Sequence, residues 1–172
     1  MRLTALPGER DGHTGIFAFD PSHPRPLHVY PLRFYDFADG PHVVGALGRP
    51  ELVGRKLAAI DGTPVARVLE LVRPLIPRDN ESGRRLLLPE YLVTAEVLRG
   101  LGIVKGDAAT YSFAGCTSVT LDPGDVASLV ATLGSALAPP PTSRNPVWLQ
   151  KLDEPHRLTT IDRGRAVYFG CR

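Results

Sequence analysis

The chain is poor in the residues that mark specialised classes: two cysteines, one tryptophan, one methionine and only three lysines in 172 residues. Cys116 and Cys171 stand far apart and in no metal-ligand spacing, so a disulfide and two free thiols both stay open. No charge of one sign dominates. The 20 basic and 18 acidic residues are interspersed, leaving a net charge of +2 and no electrostatic footprint for nucleic acid or an anionic membrane. Long apolar runs are missing as well: none approaches the roughly 20 residues that a membrane-spanning helix needs. Met1 to Arg10 holds no apolar stretch of signal-peptide length. The expectation is a soluble chain with no membrane span and no nucleic-acid partner, its compartment left open.

Glycine and proline are abundant, 17 of each, which predicts many turns and short elements rather than a long-helix bundle. Hydrophobic residues at 43 % and charged residues at 22 % are ordinary globular usage. A chain of this size buries about two thirds of its unfolded surface, so its core needs neither metal nor disulfide.

Gly15 to Phe19 reads as a short strand, ended by Pro21, Pro24 and Pro26. Leu27 to Phe37 is a second extended run, and Pro31 inside it implies an edge or a bulge. Asp39-Gly40 marks a tight turn, and His42 to Leu47 returns as the antiparallel partner. Lys56 to Ile60 forms a strand and Asp61-Gly62 a turn, followed by a helix capped by Thr63 with Pro64 first. Val65, Val68, Leu69 and Val72 share one face of that helix, which Pro74 and Pro77 end. Asp79 to Arg85 reads as a polar loop. Pro89 starts a helix striped by Tyr91, Leu92, Ala95, Leu98 and Leu101. Tyr111, Phe113, Val119 and Leu121 alternate around Gly115 as a hairpin, and Asp122-Pro123 opens a helix through Val126, Leu129, Val130, Leu133 and Leu137. Pro139 to Pro141 form a stiff connector, and Val147 to Leu149, Arg157 to Ile161 and Ala166 to Phe169 follow as strands. The last is fully apolar and lacks evident neighbours, which suggests a truncated domain.

Asp11-Gly12-His13-Thr14-Gly15 is the densest polar constellation. An imidazole between two glycines in a turn suits a general base, although a surface or capping histidine is the commoner reading of such a motif alone. No G-x-S-x-G elbow or S-x-x-K pair supplies a nucleophile for it to activate. His13, His23 and His28 with Asp11 and Asp20 match no zinc spacing, and no phosphate-binding glycine loop is present. Neither a metal nor a cofactor is expected. Arg78, Asp79, Asn80, Arg84 and Arg85 form a mixed-charge loop, more simply read as solvated, and Trp148 and Tyr168 read as strand residues that fill a core.

Leu52-Val53-Gly54-Arg55-Lys56-Leu57-Ala58-Ala59-Ile60-Asp61-Gly62-Thr63-Pro64-Val65 resembles the segment of PDZ-like domains in bacterial proteases where a turn leads through a strand to an Asp-Gly turn and a Pro-Val helix start. Some forty residues earlier, Asp11-Gly12-His13-Thr14 looks like the D-G-H-T motif of tricorn-core and carboxy-terminal-processing serine peptidases, in which the motif precedes an inserted PDZ-like domain. The resemblance extends to the helix after Pro89, the hairpin at Tyr111 to Leu121 and the closing Arg165 to Gly170. It places His13 at the general-base position and the nucleophilic serine in a catalytic domain that would only begin within this chain. After Gly170 the family leads one to expect Tyr-Asn, where this chain has Cys171-Arg172.

The resemblance implies an α+β fold: a PDZ-like small antiparallel β-barrel or sandwich with two to three helices, plus flanking strands of an incomplete peptidase domain. Residues 1–26 would be an N-terminal strand segment with the D-G-H-T motif, 27–138 the PDZ-like domain with a helical insertion, and 139–172 the connector and first catalytic strands. An extended peptide or protein chain end would add as a strand at a sheet edge. Phe34, Tyr35, Phe37, Val43 and Val44 are candidates for that edge, with Val65, Val68, Leu69 and Val72 behind it; plain core is the competing reading for all of them. The implied function is the substrate-recognition portion of a serine peptidase, inactive alone. One alternative is a non-catalytic peptide-binding or interaction domain. Another is a homo-oligomer that pairs its C-terminal strand across chains.

Overall fold

A computed structural model of the chain describes residues 26–126 and 156–171. His13, the Gly15 to Phe19 strand, the proline connector and Val147 to Leu149 lie outside these residues. The chain divides into two units, Met1–Leu137 and Ala138–Arg172.

In the first unit Pro31 splits the extended run in two. β1 (His28–Val29) pairs antiparallel with β8 (Gly124–Asp125), whereas β2 (Leu32–Phe37) pairs antiparallel with β3 (Gly40–Ala46). Proline cannot donate to a ladder, so the chain changes partners where the donor is lost. The loop between β2 and β3 is Ala38-Asp39, and Gly40 (φ +119°) is already the first strand residue, opposite Phe37. Pairing runs back to Phe34↔Val43 and then jumps to Arg33↔Gly45, leaving Val44 as the extra residue of a bulge.

The main sheet has the order β5-β4-β6-β7, with β4 (Leu57–Ile60), β5 (Thr63–Pro64), β6 (Ala109–Phe113) and β7 (Thr117–Leu121). Asp61 (φ +45°) and Gly62 (φ +75°) connect β4 to β5, both in the left-handed region that a two-residue hairpin loop demands. The Asp61 carboxylate accepts the Thr110 N–H at 2.6 Å, tying that turn to β6.

Thr63 and Pro64 depart from expectation. They are held as β5 against Ile60 and Ala59, so Thr63 does not cap and Pro64 (φ −55°, ψ 141°) precedes α1 (Val65–Val72) instead of starting it. The predicted face of α1 is real: Val68 and Val72 are buried, and Val65 and Leu69 are half-buried against the core. α1 packs on β4.

The polar stretch after Asp79 is likewise a helix rather than a loop. Asn80 accepts the Gly83 N–H through its side chain at 2.9 Å and caps α2 (Glu81–Tyr91), within which Pro89 lies. Proline removes one helical hydrogen bond and crowds the preceding turn, and α2 stops two residues later. The single stripe expected from Tyr91 to Leu101 is therefore broken: Thr94, buried, donates its hydroxyl to the Glu90 carbonyl at 2.7 Å, and α3 (Ala95–Gly100) follows. Gly124–Asp125, expected inside a helix opened by Pro123, is instead the strand partner of β1. Helix resumes only at Val126, and Leu129, Val130, Leu133 and Leu137 lie outside the described residues.

The core of this unit centres on two tyrosines. Tyr30 and Tyr111 meet edge to face at 5.6 Å and Phe34 stacks on Tyr111 at 6.1 Å. Their hydroxyls reach backbone acceptors, Tyr30 to Asp107 at 2.7 Å and Tyr111 to Leu92 at 3.0 Å. Burial pushes both phenols up, Tyr111 strongly. The fold is mixed α+β, as expected. The expected small barrel does not close among the described residues: β3 reaches β4 only through the single bridge His42↔Lys56, because the bulge and the turn at 50–56 carry the chain away from a continuous ladder.

The second unit contributes one described hairpin. β9 (His156–Ile161) pairs antiparallel with β10 (Ala166–Cys171) around a turn with Arg163 at φ +55° and Gly164 at φ +85°. The apolar last strand thus has a neighbour after all. Leu158, Val167 and Phe169 are exposed on one face, where Phe169 stacks on His156 at 6.3 Å, and Tyr168 alternates to the other.

Candidate functional site

Alternation along β2 sends Leu32 and Phe34 into the core and Arg33, Tyr35 and Phe37 outward. Tyr35 is 56 % exposed and Phe37 49 %, and their rings meet at 4.7 Å. Two large aromatics left open beside each other on one strand are unusual for a surface that binds nothing. Across the hairpin, His42 opposes Tyr35 and meets the edge of the Phe37 ring at 5.3 Å. Val44, half-buried and two residues on from His42, shares its face and is the extra residue of the bulge.

The segment 50–56 walls the other side. Pro50–Leu52 form a single 3-10 turn whose Leu52 is buried, which leaves Val53 exposed on the rim. The β3 backbone holds this segment in place: Val43 donates its N–H to Arg55 at 2.9 Å and Gly54 donates to Val43 at 2.8 Å. Gly54 has φ +86°, a conformation costly for any side-chain-bearing residue. Phe37, Asp39, His42, Val43, Val44, Val53 and Gly54 together line an open groove of about 480 Å³. Its walls are mostly apolar and one end is polar. There Asp39 pairs with Lys56 at 3.2 Å, and the His42 Nε2 atom lies 3.5 Å from the same carboxylate. The Lys56 hydrogen bond, with the nearby imidazole, holds the Asp39 carboxyl below the usual range.

The sequence-derived candidates divide among three places. Phe37 and Val44 line the groove, and Tyr35 stands beside it against Phe37. Phe34 and Val43 are a directly opposed pair whose side chains are buried, Val43 reaching the groove floor. Val65, Val68, Leu69 and Val72 belong to α1 and pack into the core, so nothing brings them to the groove. His13 lies outside the described residues.

Asp39, His42, Val53 and Lys56 were not singled out by sequence. For His42 a local signal exists, the strand alternation that sets it opposite Tyr35. Ser112 and Ser118 hydrogen-bond each other across β6 and β7 at 2.9 Å. Cys116, at φ +63° in the β6–β7 loop, is a free, exposed thiol. Among the described residues no cluster of His, Cys, Asp and Glu could hold a metal, and no helix is long and apolar enough to cross a membrane.

No family model, curated protein or solved structure matches the chain.

Proposed function

We propose that the chain is a peptide-recognition module, PDZ-like in role, belonging to a serine-type peptidase. The observation that carries the recognition half is the outward face of the β2–β3 hairpin. Tyr35 and Phe37 are exposed there beside a groove floored by Val43 and walled by Val44 and Val53. An extended segment laid along this face would bury apolar side chains against the aromatics. Aromatic side chains give much contact area for little lost rotamer freedom, which suits a surface that must accept more than one sequence.

The peptidase half rests on the Asp11-Gly12-His13-Thr14 motif, with His13 as general base. Hydrolysis is not assigned to this chain by itself, since its serines carry no nucleophile signature and Ser112 and Ser118 bond to each other. That same pair favours a second reading, a recognition domain that never cuts.

Two measurements test the proposal. Titration of the chain with short peptides ending in free apolar carboxylates should move the amide resonances of Val53 and Gly54 at sub-millimolar concentration; no shift at millimolar peptide rejects the recognition reading. Incubation with a fluorophosphonate probe should leave the chain unlabelled, and a labelled serine would overturn the division of labour.

A further inference from the structure

The main sheet has two outer strands, and they are finished differently. β5 is two residues long, contains Pro64 and runs straight into α1, features that close an edge to further pairing. β7 has none of them. Its residues, Thr117-Ser118-Val119-Thr120-Leu121, carry no charge and no proline, and they pair with β6 in one unbroken register from Thr117↔Phe113 to Leu121↔Ala109. Among the described residues β6 is the one ladder partner of β7. An outer strand turns alternate N–H and C=O groups away from its neighbour, where they template another strand.

The side chains along this edge are self-complementary. A two-fold axis through Val119 keeps the core faces of two copies on one side of a joined sheet. It is also the antiparallel register in which every residue of β7 finds a partner: Ser118 stands opposite Thr120 of the second copy, and Thr117 opposite its Leu121. Ser118 already donates its hydroxyl to Ser112 at 2.9 Å, and Thr120 shares a 2.9 Å hydrogen bond with Thr110. A hydroxyl has one hydrogen and two lone pairs, so Ser118 still accepts, and Thr110 donating to Thr120 leaves the Thr120 hydrogen for Ser118 across the axis. Such hydroxyl pairs stabilise antiparallel neighbours.

The charges just beyond the strand ends match in the same register. Arg55 has its guanidinium 3.8 Å from where a side chain on Gly115 would begin, beside the turn that leads into β7. Asp122 follows the strand at its other end. Both residues are exposed, and among the described residues neither makes an ion pair. A strand about 17 Å long separates them within one chain. In the two-fold pair the Asp122 end of one copy lies against the Gly115-Cys116 end of the other, which sets an Arg55–Asp122 ion pair at each end of the ladder.

We propose that β7 is the self-association edge of this chain: two copies join β7 to β7 antiparallel, fusing their four-stranded sheets into one, with Arg55 and Asp122 clamping both ends. The association is reversible, because a short ladder and two exposed ion pairs make a contact at the small end of the range for specific interfaces. It is independent of the peptide-recognition reading, since the groove is lined by none of these residues.

Sedimentation velocity from about 5 to 500 µM should show one-chain particles giving way to two-chain particles. Thr120→Lys places a charge on the edge, and Asp122→Arg faces Arg55 with a like charge; each should weaken association about tenfold or more. Both positions are exposed, so urea midpoints should stay close to wild type and show that the variants fold. Arg55→Glu alone should weaken association likewise, whereas Arg55→Glu combined with Asp122→Arg, which exchanges the charges, should restore the wild-type constant. Phe169→Ser, on the exposed face of the C-terminal hairpin, should leave association unchanged. A chain that stays single over the whole range overturns the inference. So does association that ignores Thr120→Lys and Asp122→Arg, that is not rescued in the double variant, or that is lost in Phe169→Ser.

Discussion

Glu96 holds His28 at two points. One carboxylate oxygen accepts the His28 backbone N–H at 2.9 Å and the other lies 2.8 Å from ring atom Nδ1. This clasp joins α3 to β1, the strand that follows residues 1–25. Arg99 extends it, reaching Glu96 at 3.2 Å and Asp107 at 2.7 Å, while the Asp107 carbonyl accepts the Tyr30 hydroxyl. A short β1, only two residues long, is thereby fixed to the core by side-chain chemistry more than by its ladder.

Desolvation works to raise the Glu96 carboxyl, but the His28 N–H and ring outweigh it and the net shift is downward. A folded value below the unfolded one means that the stabilisation is fully present above the unfolded pKa, roughly 4.3, and is lost as pH falls through the lower folded value. Glu96→Gln is expected to lose about 1 kcal/mol at pH 7. Urea unfolding should show the gap between the two proteins narrowing toward pH 3; a constant gap would mean that the clasp does not act through its charge.

Tyr111 is fully buried and its hydroxyl donates to the Leu92 carbonyl just where α2 ends. Removing the hydroxyl leaves that carbonyl without its donor, so Tyr111→Phe should cost about 1 to 2 kcal/mol. Tyr111→Ala also deletes the ring that contacts Tyr30 and Phe34 and should cost about 3 to 5 kcal/mol. Denaturant midpoints of the two variants separate the polar from the packing contribution, and equal losses would contradict the assignment.

The β2–β3 hairpin and the face of α1 were legible in sequence because each follows a local period, two for the strands and 3.6 for the helix, bounded by Asp-Gly or proline signals. α2 was not. Its first turn, Glu81 to Arg84, is polar, with Glu81 and Ser82 exposed, and a proline at position 89 reads more naturally as a beginning than as an interior residue. The site was half legible. Tyr35, Phe37 and Val44 belong to an alternating strand pair, whereas Val53 and Gly54 reach the groove only because Val43 binds the backbone of 54–55 across a bridge that no local pattern encodes.

Asn80 offers a direct check on the corrected helix. Its side chain supplies the side-chain cap of α2, accepting the Gly83 N–H. Asn80→Ala should therefore destabilise the fold by about 1 kcal/mol, and Asn80→Asp, which keeps the acceptor, should leave it near wild type. Thermal unfolding of the pair distinguishes a capped helix from the solvated loop that composition alone suggests, since a loop would tolerate both changes.

The aromatic pair on the outer hairpin face separates binding from stability most cleanly. Tyr35 and Phe37 are about half exposed, and their contacts are with each other and with His42 rather than with the buried Phe34–Tyr111 stack. Substituting either by serine removes area from a surface, not from the core, so Tyr35→Ser and Phe37→Ser should each shift unfolding free energy by about 0.5 kcal/mol or less. If the groove is where a peptide lies, the same substitutions delete its aromatic wall and should weaken peptide affinity about tenfold, the effect of losing a well-placed aromatic anchor. Phe34→Ser, one residue away on the buried face, should do the reverse and unfold the protein before binding can be read. Chemical denaturation alongside peptide titration of these three variants checks the arrangement. Full retention of binding in both surface variants would remove the hairpin face from consideration as the recognition site.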